Sequence, residues 1–325
     1  RILPMIVSKT PFRVTLAGGG TDLPSFYEDH GGLVLTMAID KYMYVSIKKN
    51  IFDSYVRLCY LETEHVPSVN RLKHDRARTA LKNNGILNGV EITSTADLPS
   101  RSGMGSSGSF LVGLLSSIAK IQDREISPQQ VAEEACQIEI NDLQEPVGKQ
   151  DQYIAAFGGV KLLQIDREGK VLVKDRSELI DESLISHMNI YRLNQYRDAS
   201  EVLEEQNNKR KKTQDTLSII KSIGQASIKS LEKKDYHGYG KILDDYWSYK
   251  KTLSGKVSNK EIDRLYSKVK DKFGVVGGKV IGAGGGGFIL LFREPSDKLD
   301  KFMRSVGMPK LEYGLSPEGV EVTSL

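Results

Sequence analysis

The segment Asp97–Ser109, Asp-Leu-Pro-Ser-Arg-Ser-Gly-Met-Gly-Ser-Ser-Gly-Ser, limits what this chain can fold into more than any other stretch. An alternating strand pattern at Val90 and Ile92 precedes it, and a helical pattern at Phe110, Leu111, Leu114, Leu115 and Ile118 follows. A strand, a glycine- and serine-rich turn and a helix start, in that order, leave backbone N–H groups and the positive end of a helix dipole facing the turn. That combination seats a phosphate. Ser102, Gly103, Met104, Gly105, Ser106, Ser107 and Gly108 are therefore the candidate phosphate-loop residues.

Two familiar glycine loops fail here. A Walker loop places Lys after its last glycine, whereas Gly103-x4-Gly108 is followed by Ser109. Gly103, Gly105 and Gly108 do spell GxGxxG, but a dinucleotide fold next needs a strand ending in an acidic residue about 20 positions on. Asp123 and Glu125 lie instead in a short polar link, and Ser127, Pro128 and Gln130 read as N-cap, N1 and N3 of another helix. What remains is a phosphate loop that offers serine hydroxyls rather than a lysine.

Composition narrows the partners. The 325 residues fit two domains of about 100–200 residues each. Forty-six basic against 42 acidic side chains leave a net charge of +4, so neither nucleic acid nor a membrane surface is called for. The run Lys209-Arg210-Lys211-Lys212 reads as a solvated loop or helix end. No apolar run approaches the ~18 residues of a membrane span. Cys59 and Cys136 form no CxxC, which suits a reducing cytoplasm, and the five histidines show no zinc spacing. Met5 is read as the natural start and Arg1–Pro4 as a leader.

Strand patterns fall at Phe12–Leu16, Leu33–Leu35, Tyr42–Ile47 and Val90, and helical ones over 71–83, from Phe110, and over 128–141. A hairpin follows over 159–173. The second half carries long helical patterns over 213–234 and 239–253, then a helix with Ser258 and Glu261 as its capping box and Gly274 as its stop. Strands at Lys279–Ile281 and Phe288–Phe292 flank a glycine bend. Without a regular βαβ repeat the expected class is α+β in both halves, divided near 175–190. Two further glycine turns matter. Gly18, Gly19 and Gly20 end a strand carrying Arg13 and lead into Thr21-Asp22, and Gly284, Gly285 and Gly286 lie in the bend. Lacking Cβ atoms, such turns let backbone approach a ligand. Three of them in one chain point to one shared site.

These three motifs, in this order and covering nearly the whole chain, resemble the GHMP small-molecule kinases. Gly18–Asp22, Gly148–Gln152, Trp247–Lys251 and Gly277–Gly287 are most similar to the sugar-kinase branch that acts on D-glycero-D-manno-heptose 7-phosphate. The resemblance implies a two-domain α+β fold, with a ribosomal-S5-like N-terminal domain over 1–183 and a ferredoxin-like C-terminal domain over 184–325. It implies transfer of the γ-phosphoryl group of ATP, with Mg2+, to the anomeric hydroxyl of a heptose 7-phosphate. Another sugar 1-kinase, for L-fucose for example, and a non-catalytic sugar sensor are the alternatives. Asp151 takes the place of the family's catalytic aspartate, and Arg13 that of the arginine beside it. Glu139 and Ser107 match the magnesium ligands, and residues 102–108 the nucleotide loop. Gly19, Gly20, Thr21, Asp22 and Gly284–Gly286 are assigned to substrate. Glu139 also stands out unaided, because it shares a helical face with Ala132, Ala135 and Cys136, where a carboxylate needs a partner or a metal. Galactokinases carry Glu-His where this chain has Gly19-Gly20, which argues for a larger or phosphorylated sugar. Lys149, Arg192 and Arg197 are basic residues considered for a substrate phosphate. The expected state is a cytoplasmic monomer or homodimer.

Overall fold

The computed structural model describes residues 4–100, 102–195, 202 and 210–325. In chain order the strands are β1 (Ile6–Ala17), β2 (Gly32–Lys49), β3 (Val56–Cys59), β4 (Thr63–Val66), β5 (Val90–Ala96), β6 (Val160–Ile165), β7 (Val171–Asp175), β8 (Met188–Arg192), β9 (Gly277–Val280), β10 (Phe288–Phe292) and β11 (Glu321–Ser324). The helices are α1 (Pro24–His30), α2 (Asp75–Asn83), α3 (Ser106–Ile121), α4 (Pro128–Cys136), α5 (Gln150–Phe157), α6 (Glu182–His187), α7 (Arg210–Glu232), α8 (Tyr236–Lys250), α9 (Lys260–Phe273) and α10 (Asp297–Ser305). Among the described residues no helix is long and apolar enough to cross a membrane. Lys209 and Arg197 lie outside the described residues.

β2 organises the first sheet. The sequence suggests two strands, 33–35 and 42–47, because Asp40 and Lys41 interrupt the apolar alternation. The structure has one continuous strand there. Its first half pairs with β6 and its second with β5, while β1 runs antiparallel along nearly all of it. A register shift between Pro11 and Phe12 takes up the bend. The order is β11-β1-β2-β5-β3-β4, with β6 and then β7 branching from β2, and a separate three-stranded sheet reads β8-β10-β9. A boundary at residue 183 separates the two sheets except for β11, which returns to pair with β1.

Three apolar clusters hold this together. One packs α2, α3, α4 and α5 on the first sheet. A second joins β1, β2 and β6 to α7 and α8, so the two halves share a core. The third lies between the small sheet and helices α8, α9 and α10. Local signals behave as their chemistry dictates: Ser127 and Gln130 form the capping box of α4, and Gly274 ends α9 in the left-handed region at φ 68°. One cap differs from expectation. Asn259, not Ser258, caps α9, accepting from the Glu261 and Ile262 amides, while the Ser258 hydroxyl donates to Asp263. The helix expected over 128–141 also changes character, since after Cys136 it widens into one π-helical stretch, Gln137–Asp142.

Candidate active site

The phosphate loop becomes a helix N-terminus as the sequence indicates. Gly105, at φ 83°, occupies the N-cap of α3 and supplies no side-chain cap. The first helical bond runs from Ser109 N–H to the Gly105 carbonyl at 2.9 Å, so the amides of Ser106, Ser107 and Gly108 have no helical acceptor. The glycine bend reaches this loop directly: a Cβ on Gly103 would stand 2.5 Å from the Ile281 carbonyl oxygen.

Two cavities meet at that wall. The larger, about 690 Å3, is lined by Tyr60, His74, Arg76, Pro99 and Phe110 among others. The smaller, about 190 Å3, is lined by Arg13, Gly19, Gly20, Asp22, Asp151, Tyr246, Lys250 and Lys279. Gly103, Ser106, Ser107, Val147, Ile281 and Ala283 line both. A nucleotide-sized space and a small-molecule space thus share the amide-lined turn.

Asp151 stands in the first turn of α5 and accepts from Arg13 Nε at 2.7 Å, while Arg13 Nη1 donates to the Gly103 carbonyl at 2.6 Å. One arginine therefore ties the aspartate to the loop. The fit is tight: a Cβ on Gly108 would come within 2.8 Å of the Asp151 Cβ, and one on Gly105 within 3.2 Å of its Cγ. The glycines of this loop accordingly serve the aspartate as well as a ligand. Asp22, 1% exposed, accepts from the Gln150 amide at 3.0 Å. Burial pushes its carboxyl above the usual range, against the pull of that amide. Gly148 makes the approach possible, since a Cβ there would lie 2.0 Å from an Asp22 oxygen.

Glu139 lies on the π-helical stretch, fully buried. Arg76 Nε donates to one of its oxygens at 2.7 Å and Gln152 Nε2 to the other. It lines neither cavity; Arg76 lines the larger one. The partner sought for this carboxylate is thus an arginine. Gln152 Oε1 is buried with no donor, which leaves oxygen acceptors beside Glu139 and suits a hard cation. Among the described residues no three His, Cys, Asp or Glu side chains gather as a metal cage, and Mg2+ held largely by phosphate oxygens and waters needs none.

Several expected contacts lie elsewhere. Ser102 is buried and its hydroxyl accepts from the Met104 amide at 3.3 Å; Met104 is buried too, its carbonyl accepting from Arg13 N–H at 3.0 Å. Met104 thus anchors the loop to β1, Ser102 ties the loop to itself, and neither lines a cavity. Thr21 is fully buried and its hydroxyl lies 2.8 and 2.9 Å from the Gly18 and Leu33 carbonyls, so it locks the turn and lines neither cavity. Gly284 and Gly286 line the larger cavity, not the smaller one, and the Gly285 N–H donates to the Val257 carbonyl at 2.7 Å. The bend meets the smaller cavity through Gly282 and Ala283 instead. Lys149 donates to the Gly169 carbonyl, and neither it nor Arg192 on β8 lines either cavity.

Sequence reasoning gave no role to Tyr60, His74, Arg76, Thr15, Gln150, Tyr246, Lys250 or Lys279. A signal existed for Lys250. It shares the stripe of Tyr239, Leu243, Tyr246 and Trp247, the buried face of α8, where a lysine is out of place.

Known proteins give the same arrangement a lineage. Residues 70–159 match the N-terminal domain of GHMP kinases and residues 227–307 their C-terminal domain. The chain is 31% identical to a D-glycero-alpha-D-manno-heptose 7-phosphate kinase of Campylobacter jejuni, over 97% of this chain and 98% of that one. Its fold matches the crystal structure of a D-glycero-D-manno-heptose 1-phosphate kinase from Bacteriodes thetaiotaomicron with a TM-score of 0.78 at 22% identity, covering 98% and 99% of the two chains. It matches a galactose complex of Lactococcus lactis galactokinase with a TM-score of 0.74 at 19% identity, covering 99% and 95%. The glycine loop at 102–108 and the glycine bend fall within these two matched segments, and this chain, with its two-domain α+β fold, belongs to the GHMP kinases.

Proposed function

We propose that the chain is an ATP-dependent sugar kinase whose acceptor is the anomeric hydroxyl of a heptose 7-phosphate. The observation that carries this reading is the shared wall: Ser106 and Ser107, whose amides have no helical acceptor, line both a nucleotide-sized cavity and a small one holding Asp151. ATP in the larger space, with its phosphates on the helix N-terminus, would present its terminal phosphorus to an acceptor in the smaller. The acceptor oxygen forms the new P–O bond, the bond from the γ-phosphorus to the bridging oxygen breaks, and the hydroxyl proton passes to the Asp151 carboxylate as ADP leaves. Arg13 keeps Asp151 oriented through its Nε contact. Because the transition state is loose, positioning and charge neutralisation outweigh proton abstraction.

Mg2+ supplies neutralisation of the phosphate charge, with Ser107 and Glu139 as the residues that would hold it. Asp22 and the side-chain-free Gly19 and Gly20 border the acceptor space, and the heptose 7-phosphate assignment draws its support from the 31%-identical Campylobacter relative. Free thiols at Cys59 and Cys136 suit a cytoplasmic enzyme, working as a monomer or homodimer. The test is ADP release over a panel of heptose 7-phosphate, L-fucose, galactose and mevalonate, with the product read by phosphorus NMR. A 1,7-bisphosphate from the heptose is expected; galactose as best acceptor would overturn the assignment.

A further inference from the structure

Lys250 and Lys279 have no place in the scheme above, yet both line the smaller cavity at 5% and 3% exposure. Among the described residues neither lies within 4.0 Å of a carboxylate, whereas Arg13 pairs with Asp151, and Arg76 with Glu139 and Glu145. Lys250 Nζ donates to the carbonyls of Val280, at 3.0 Å, and Gly282. An ammonium has three N–H donors, so one remains. Gly282 is where the bend touches the phosphate loop: a Cβ there would stand 2.5 Å from the Gly103 carbonyl oxygen. Lys250 is therefore tethered where the two cavities meet. It is also the last residue of α8, whose negative dipole end favours a cation. Lys279, on β9, donates instead to the Thr15 carbonyl of β1 at 2.5 Å.

Burying a cation without a counter-charge is costly, and a site that keeps one is suited to an anion arriving with the ligand. At this junction the arriving anion is the phosphoryl group. We infer that Lys250 is a further catalytic residue, its remaining N–H binding a terminal oxygen of the phosphoryl group as it passes from nucleotide to acceptor. This rests on the kinase reading. No bond to Lys250 forms or breaks, and its proton count is unchanged through the step.

Burial, and then the neighbouring Arg13, bring the Lys250 ammonium down to about 7. Burial, Lys250 and Arg13 lower Lys279 as well. The other charged or titratable groups lining the cavity are Arg13, Asp22, Asp151 and Tyr246, the phenol of the last being pushed up by burial. Loss of the Lys250 proton in the free enzyme should therefore make kcat/KM fall as pH rises above about 7.

The test uses the full chain with K250M, K250Q and K250R, an ADP titration confirming that each variant still binds nucleotide. K250M and K250Q should lose about 10²–10³ in kcat, the usual cost of one donor to a transition-state oxyanion. KM for ATP should stay within about threefold and K250R should recover part of the rate, since only the charge acts on the transition state. Wild type should show the alkaline fall, and K250R should lack it. K250Q turning over within about threefold of an active wild type would overturn this role alone. Should none of the variants bind ADP, a flat wild-type kcat/KM from about pH 7 to 9 would overturn it, and a fall would support it. A wild type that transfers to no acceptor removes the kinase reading and this role together.

Discussion

Two arginine–carboxylate pairs flank the phosphate loop, each with an N···O separation of 2.7 Å, and they are built inside out from one another. In Arg13–Asp151 the guanidinium is 7% exposed and the carboxylate 24%; in Arg76–Glu139 the guanidinium is 23% exposed and the carboxylate 1%. The first pair presents a carboxylate to the smaller cavity, the second a cation to the larger one. Equal distances thus serve different chemistry, because burial decides which partner a ligand meets. A carboxylate open to the cavity can take a proton. One closed behind its arginine holds structure and charge in place.

The largest expected effect separates the two pairs by their readouts. Asp151→Asn, which removes the base but keeps an oxygen that can accept from Arg13 Nε, should cut kcat by about 10²–10⁴, the range for loss of a general base, with little change in melting temperature. Glu139→Ala should lower stability as well as rate, by about 3 kcal/mol in denaturant unfolding, because the buried carboxylate shared by Arg76 and Gln152 is lost, the exposure of Arg76 and its second contact with Glu145 at 3.4 Å holding the figure at the low end of the usual range. If the two variants lose activity and stability in the same proportion, the contrast fails. Gly108→Ala sharpens it next. Its Cβ would collide with Asp151 from 2.8 Å, and a displacement of about 1 Å costs about 10²-fold in rate, read as kcat with ADP affinity unchanged. Thr21→Val should have the smallest effect, about 1–3 kcal/mol because the buried Leu33 N–H loses the hydroxyl it donates to, with KM for the acceptor unmoved in an enzyme that stays folded.

The sequence disclosed what local chemistry dictates. The loop at 102–108, the α4 capping box and the Gly274 stop follow from propensities that act within a few residues. Arg13 and Asp151, 138 positions apart, were brought together only through the family resemblance, and the geometry joins them. Contacts made by tertiary packing were hidden. Met104 reads as a loop residue, yet the approach of β1 turns it inward. Thr21 follows a glycine turn as a ligand-binding residue would, but the Leu33 carbonyl captures its hydroxyl. β2 looked like two strands because Asp40 and Lys41 break its pattern, though backbone pairing with β1 continues past them. Arg76 as the partner of Glu139 had no signal at all, since 63 residues separate them.

The central claim is that one row of amides seats the phosphates between two cavities. A crystal structure with a non-hydrolysable ATP analogue tests it most directly. The account predicts the terminal phosphates within hydrogen-bonding distance, about 2.7–3.2 Å, of the Ser106, Ser107 and Gly108 nitrogens, with the γ-phosphorus facing Asp151. A triphosphate bound away from that helix N-terminus, or one whose γ-phosphorus points away from Asp151, would contradict it.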